Sequence, residues 1–158
     1  MFGSCRAGRV AWSPSEGSPY LEKSTTTGGC LCGDVKYEID GSISPIWLCH
    51  CSKCRRRTGS AFHASAVCSP DLFRWVSGED SIQEYEDTPG YKVRFCPRCG
   101  SPVPSYLEQF GLVFLHVGAL DGDPGRQIDH HIFVGSKAPW FAITDGHPQY
   151  HEHKPRQG

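Results

Sequence analysis

Seven of the nine cysteines stand in three tight clusters: Cys30 with Cys32, then Cys49, Cys51 and Cys54, then Cys96 with Cys99. Thiols two or three residues apart present their sulfurs to one metal ion from a single turn, at about 2.3 Å each for zinc, whereas a disulfide between such close neighbours is strained. The spacing points to metal ligation, with zinc as the first choice. Cys32-Gly33 and Cys99-Gly100 place after each outer pair a residue that tolerates positive φ, so the chain can curl and turn backbone N–H groups toward the sulfurs. Structural zinc takes four thiolates, while reactive zinc keeps one position open. Seven ligands divide as four plus three: the outer pairs, far apart in sequence, suit a closed site tying two hairpins together, and Cys49, Cys51 and Cys54 suit an open one. Spacing leaves other partitions standing, including a single four-ligand site with the central cluster as redox thiols. Cys5 and Cys68 read as isolated thiols.

A chain of 158 residues is long enough for one domain with its own core and too short for two ordinary ones. The formal charge of −1, from 16 basic and 17 acidic side chains, supplies no general attraction to nucleic acid or an anionic membrane. No apolar run approaches the ~20 residues of a membrane span, and the first twenty residues lack the apolar core of a secretory signal. The expectation is a cytoplasmic protein, in reducing surroundings that keep thiolates available to metal. Residues 1–24, rich in Gly, Ser, Pro and Arg, read as a disordered extension.

Eighteen glycines and twelve prolines predict many turns and short strands. Val35, Tyr37 and Ile39 alternate with charged residues as a half-buried strand does. Pro45 to Leu48 is a short apolar segment leading into the central cysteines. Ser52 to Thr58 has room for about two helical turns ended by Gly59. Phe62 to Cys68, Leu72 to Val76, Ser81 to Tyr85 and Tyr91 to Phe95 read as strands, Leu112 to Val117 as a fully buried one, and Ile132 to Val134 as another. The acidic residues of Asp121-Gly122-Asp123-Pro124-Gly125 read as turn formers. The polar, His-rich end from His147 reads as a frayed tail. The domain is therefore placed at residues 25–149, with 150–158 as tail.

Five motifs in order, Gly28-Gly29-Cys30-Leu31-Cys32-Gly33, Cys49-His50-Cys51-Ser52-Lys53-Cys54-Arg55-Arg56, Thr58-Gly59-Ser60-Ala61-Phe62, Phe95-Cys96-Pro97-Arg98-Cys99-Gly100-Ser101-Pro102 and Ser136-Lys137-Ala138-Pro139-Trp140, resemble the glutathione-dependent formaldehyde-activating enzyme family. That family shares its domain with centromere protein V. The resemblance implies a mainly β, small zinc-binding Mss4-like fold of short antiparallel strands with at most one or two short helices. It implies two zinc ions: a structural one on Cys30, Cys32, Cys96 and Cys99, and a labile or catalytic one on Cys49, Cys51 and Cys54. It also implies a carbon–sulfur lyase-like activity that joins glutathione and formaldehyde as S-hydroxymethylglutathione. The expected partners are then a small thiol and a small aldehyde, with no nucleic acid, and a homo-oligomer is compatible with the sequence. The expectation from another class is a zinc-scaffolded binding module without catalysis, or a thiol or metal carrier.

Beyond the cysteines, Arg55, Arg56 and Arg57 cannot all face one ligand at helical spacing. Arg55 is the candidate for a glutathione carboxylate, and Arg56 and Arg57 read as a solvated face. Lys137 is a candidate anion contact and Trp140 a core anchor. His50 lies between two ligands and reads as turned away from the metal. His63 is a candidate substrate contact, fourth ligand or proton shuttle. His116, inside an apolar run, reads as a satisfied core histidine, and His130, His131, His147, His151 and His153 as surface or tail.

Overall fold

The alternation of Val35, Tyr37 and Ile39 becomes the middle of a sheet in the computed structural model, which describes residues 25–89 and 91–155. Strand β1 (Thr25–Gly29) pairs antiparallel with β2 (Lys36–Asp40), which buries Tyr37 and Ile39 on one face. A second, five-stranded sheet contains β3 (Ile46–Cys49) and β4 (His63–Cys68). Between them in sequence lies α1 (Ser52–Thr58), the one α-helix among the described residues. Strand β5 (Phe73–Ser77) returns to the first sheet on the other side of β2. Strands β6 (Gln83–Thr88) and β7 (Tyr91–Phe95) form a separate hairpin. Strands β8 (Ser105–Leu107), β9 (Leu112–His116) and β10 (Ile128–Ile132) complete the five-stranded sheet in the order β10-β3-β4-β9-β8.

The main core lies where the two larger sheets face each other. Tyr37, Ile39 and Phe73 from the first meet Ala66, Cys68, Val113 and Leu115 from the second, with Ile43 from the connection between them. Each such fully buried large side chain contributes roughly 1.5–3 kcal/mol. Tyr37 also donates from its hydroxyl to the carbonyl of Ala119 at 3.3 Å. Cys68, as expected of an isolated thiol, is core; burial pushes it up to about 12, which leaves it unreactive.

The mainly β architecture agrees with expectation, and α1 ends at Gly59 in the left-handed conformation, φ 61°. Strands β1 and β8 went unread because Thr25 to Gly29 carries little apolar signal and Ser105 to Leu107 is only three residues long. Strand β10 ends at Ile132, where the expected strand Ile132 to Val134 begins: Phe133 turns into the left-handed region and Val134 starts a 3-10 turn, while Asp129 and His130 pair through a backbone that does not depend on side-chain polarity. Its pairing with β3 is parallel, an exception among otherwise antiparallel strands. The expectation of disorder over residues 1–24 lies outside the described residues.

The expected frayed tail is instead tied to the body. His131 N–H donates to Pro148 O at 2.8 Å, Tyr150 N–H to His131 O at 2.9 Å and Phe133 N–H to Glu152 O at 2.9 Å. Low hydrophobicity gave no sign of this, because the attachment is made by main-chain groups that every sequence has.

Gly28 is required by space rather than by dihedral. A Cβ there would stand 2.5 Å from Tyr37 Oη and 2.7 Å from the carbonyl of Ala119. Gly28→Ala is expected to destabilise the protein by about 1–3 kcal/mol, as overpacking does, with loss of the Tyr37 hydrogen bond. Denaturant melts of both proteins test this; equal midpoints would show that the β1 edge shifts freely.

Candidate functional site

Two short turns bring four cysteines together. In the first, Cys30 N–H donates to Val35 O and Gly33 N–H returns to Cys30 O, both at 3.0 Å, with Gly33 at φ 79°. In the second, Cys96 N–H donates to Ser101 O at 2.9 Å and Gly100 N–H to Cys96 O at 2.8 Å, with Gly100 at φ 73°. Glycine after each pair thus serves as the sequence suggested. The sulfurs of Cys30, Cys32, Cys96 and Cys99 lie within 4.8 Å of one another, with Cys30 to Cys32 at 3.4 Å and Cys32 to Cys96 at 3.7 Å. Tetrahedral zinc with bonds of about 2.3 Å separates its sulfurs by ~3.8 Å, so the donor set fits that ion.

The surrounding groups orient this set. Val35 N–H donates to Cys30 Sγ at 3.3 Å. The Ser101 hydroxyl, which accepts from Leu31 N–H at 3.0 Å, lies 3.3 Å from Cys99 Sγ. The hydroxyl and amide of Ser101 hold Cys99 down at about 5, in its thiolate form. Arg98 bonds to Asp34 at 2.8 Å, joining the two turns at the surface. Val35 and Val103 close the inner side of the group.

The remaining three ligand candidates come from one continuous stretch. Cys49 ends β3, Cys51 caps α1 with its sulfur accepting from Cys54 N–H at 3.4 Å, and Cys54 lies in the first turn. Their sulfurs again lie within 4.8 Å of one another, and among the described residues no histidine or carboxylate joins them. Three buried thiols this close do not all ionise unaided. Contact with Cys51 and Cys54, then burial, pushes the Cys49 thiol far up. Cys54, although drawn down by Cys49, is pushed up to about 12 by Cys51 and by burial. A thiophilic cation removes this penalty and leaves a fourth position for an outside ligand. The structure therefore sorts the seven cysteines as four plus three, a choice spacing left open.

Histidines lie around the trio in two hydrogen-bonded chains. His50 is fully buried and pairs through Nε2 with His131 Nδ1 at 2.9 Å; His131 Nε2 reaches the Asp145 carboxylate at 2.9 Å. Phe62 and Phe141 pack on the His50 ring. His50 is thus turned away from the trio, as read from sequence, but His131 is core and not surface, being 1% exposed. Its strand offered no apolar context to mark it as buried. In the second chain His63 Nε2 meets His116 Nδ1 at 2.7 Å, and His116 Nε2 meets Arg57 Nη2 at 2.9 Å. His116 is the satisfied core histidine expected. Burial, then Arg57, holds His63 down at about 4 and His116 well below the usual imidazole range.

The other expected contacts are placed less simply. Arg55 donates from Nε to His50 O and from Nη2 to Ser136 O, each at 3.2 Å, so it clamps the trio's loop to the turn that carries Lys137. Lys137 Nζ is held by the carbonyls of Ala138, at 3.3 Å, and Phe141. Trp140 is 72% exposed rather than a core anchor; the adjacent Phe141 takes the inward place against His50 and Phe62. Arg56 is exposed, but Arg57 is not on a solvated face: it stacks over Phe114 at 6.0 Å and bonds to Tyr91. Tyr91, pushed up to about 12 by burial and by the three nearby trio thiols, went unnoticed because it belongs to a strand distant in sequence.

A cleft of about 490 Å³ runs between the Cys30 turn and the second histidine chain, with Leu31, Ser101, Phe62, His63 and His116 among its walls. Leu31 stands at its edge, 88% exposed. Such a volume suits a small organic ligand.

The sequence profile of the family described as "Glutathione-dependent formaldehyde-activating enzyme" matches residues 25–136. A protein of Colletotrichum graminicola named "Putative glutathione-dependent formaldehyde-activating enzyme" is 24% identical over 126 residues, which cover 77% of this chain and 66% of the relative. The match thus spans just under two thirds of that relative's length. A crystal structure of a Rhodobacter sphaeroides protein superposes with a TM-score of 0.51 at 25% identity, over 61% of this chain and 89% of the other.

The His63 geometry carries a pH prediction. With a folded value near 4, below the ordinary 6.5 of an unfolded histidine, His63 favours folding while neutral. Its contribution is complete above about pH 6.5 and is lost as pH falls from there toward 4. Histidine ring NMR at pH 6 is expected to show His63 and His116 neutral; an imidazolium signal from either would contradict the chain of bonds described.

Proposed function

Since the chain belongs to the glutathione-dependent formaldehyde-activating enzyme family, we propose that it is a zinc-dependent, carbon–sulfur lyase-like enzyme that adds a small thiol to a small aldehyde, with glutathione and formaldehyde as the pair. The observation that carries this reading is the trio: three sulfurs within 4.8 Å with no fourth histidine, cysteine or carboxylate beside them among the described residues. A zinc ion held by Cys49, Cys51 and Cys54 supplies a position where an incoming thiol is stabilised as its thiolate at neutral pH, at which a free thiol of pKa ~8.5 is only a few per cent ionised.

The chain's own residues then bind and orient. Cys30, Cys32, Cys96 and Cys99 hold a second, structural zinc that fixes one side of the cleft. Arg55 and Lys137, brought together across Ser136, are the contacts for a glutathione carboxylate. His63 forms part of the cleft wall and would meet a substrate with its ring face, both ring nitrogens being engaged, Nε2 by His116 and Nδ1 by Ser65, and it does not join the trio's donor group. A reducing, cytoplasmic setting follows from the need to keep seven thiols available. No helix among the described residues is long and apolar enough to cross a membrane.

Purified protein is expected to carry two zinc ions per chain, one resisting mild chelation. Cys96→Ser should unfold or aggregate it, because a structural zinc site supplies ~10–16 kcal/mol of apparent binding free energy. Cys54→Ser should melt near the parent but lose the easily removed ion and the acceleration of formaldehyde exchange into S-hydroxymethylglutathione, followed by magnetisation transfer from ¹³C-formaldehyde. Zinc-loaded protein that leaves this exchange at its spontaneous rate would reject the enzymatic reading.

A further inference from the structure

Arg57 stands one turn after Cys54, so the two side chains leave α1 on the same face. Among the described residues no carboxylate pairs with its guanidinium, an unusual state for a largely covered arginine. Its known contacts are directional. Arginine only donates, so the His116 Nε2 facing Arg57 Nη2 at 2.9 Å carries the lone pair. His116 must then hold its proton on Nδ1 and donate to His63 Nε2 at 2.7 Å, and His63 Nδ1–H points to Ser65 Oγ at 3.1 Å. The chain holds both imidazoles neutral and the guanidinium in place. The Tyr91 hydroxyl accepts from the same guanidinium and keeps its own proton to donate.

One nitrogen of the guanidinium has no partner. Arg57 Nε–H is buried with no acceptor. A buried donor without a partner is unfavourable, and that cost is relieved when an oxygen bearing negative charge arrives. This rests on the thiol–aldehyde reading above: we propose that Arg57 Nε–H, with the Tyr91 hydroxyl beside it, holds the aldehyde oxygen as it becomes an alkoxide during addition of the thiol. In that step the thiol proton leaves to solvent, the sulfur lone pair forms the C–S bond, and the carbonyl π pair moves onto oxygen, which takes a proton from water. Thiol plus aldehyde gives hemithioacetal with no change of oxidation state. The adduct oxygen is one carbon from sulfur, whereas the carboxylates of glutathione are at the far ends of the tripeptide. A donor on the Cys54 face of α1 therefore suits the former.

The test uses the zinc-loaded full chain labelled with ¹⁵N-arginine, the Arg57 Nε–H signal being assigned by its loss in Arg57→Lys. Glutathione alone should leave this signal in place. Preformed S-hydroxymethylglutathione should move it downfield and slow its exchange with water at least tenfold, and the adduct of glutathione diethyl ester should do the same. Arg57→Gln should reduce the acceleration of adduct formation by about tenfold or more with glutathione affinity unchanged, and Arg57→Lys should restore part of it. A response to glutathione alone that disappears with the diester would assign Arg57 to a carboxylate and overturn the proposal. Accelerated exchange in the wild type with no response at Nε–H would overturn it as well. A response to adduct in a protein that accelerates nothing would keep the oxygen site while removing the enzymatic reading, and no response together with no acceleration would remove both.

Discussion

Sulfur atoms packed within bonding distance of a common point repel one another once ionised, and everything distinctive about this fold follows from gathering them. The four-sulfur group is drawn from two turns far apart in sequence, each curled by a glycine at positive φ and each donating main-chain N–H groups inward. Only a cation makes such a cluster favourable. Val35 and Val103 pack against these cysteines with only Trp75 and Ile82 to help, a smaller apolar group than the one around Tyr37, Ile39 and Leu115 at the other end.

The trio is built differently, and the difference bears on reactivity. Its three sulfurs come from six consecutive residues at a strand end and helix start, so local backbone alone brings them together. What holds that stretch in place is remote: Arg55 spans from His50 O to Ser136 O, and the His50–His131–Asp145 chain anchors the residue between the first two sulfurs. A metal position that is locally formed but distantly braced can stay open without collapsing, the combination needed to admit an outside ligand. Each chain of histidines ends on a charged group, Asp145 in one and Arg57 in the other, and each charge dictates which ring nitrogens carry protons.

Much of the fold was legible from local pattern. The alternation around Tyr37, the apolar run from Leu112 and the helix between Ser52 and Gly59 all reappear, because burial of one face and the stop at Gly59 are properties of a few adjacent residues. The failures share a cause. Trp140 and Phe141 are equally apolar, and only the packed His50 and Phe62 decide that Phe141 goes inward. His131 and the segment through Glu152 look polar and loose until main-chain bonds and Asp145 are in place.

By itself the sequence determined the candidate ligands: seven cysteines at chelating intervals, the glycines that let two turns close, and the motifs that mark the family. Tertiary structure alone decided how those ligands divide, because whether Cys30 and Cys32 meet Cys96 and Cys99 or the central trio depends on which turns the sheets bring face to face. It also decided where each arginine goes. Arg55, Arg56 and Arg57 are equivalent as text, but the pitch of α1 sends Arg56 to solvent, Arg55 to two carbonyls, and Arg57 to a largely covered place beside Tyr91 and His116, with its Nε–H unpartnered.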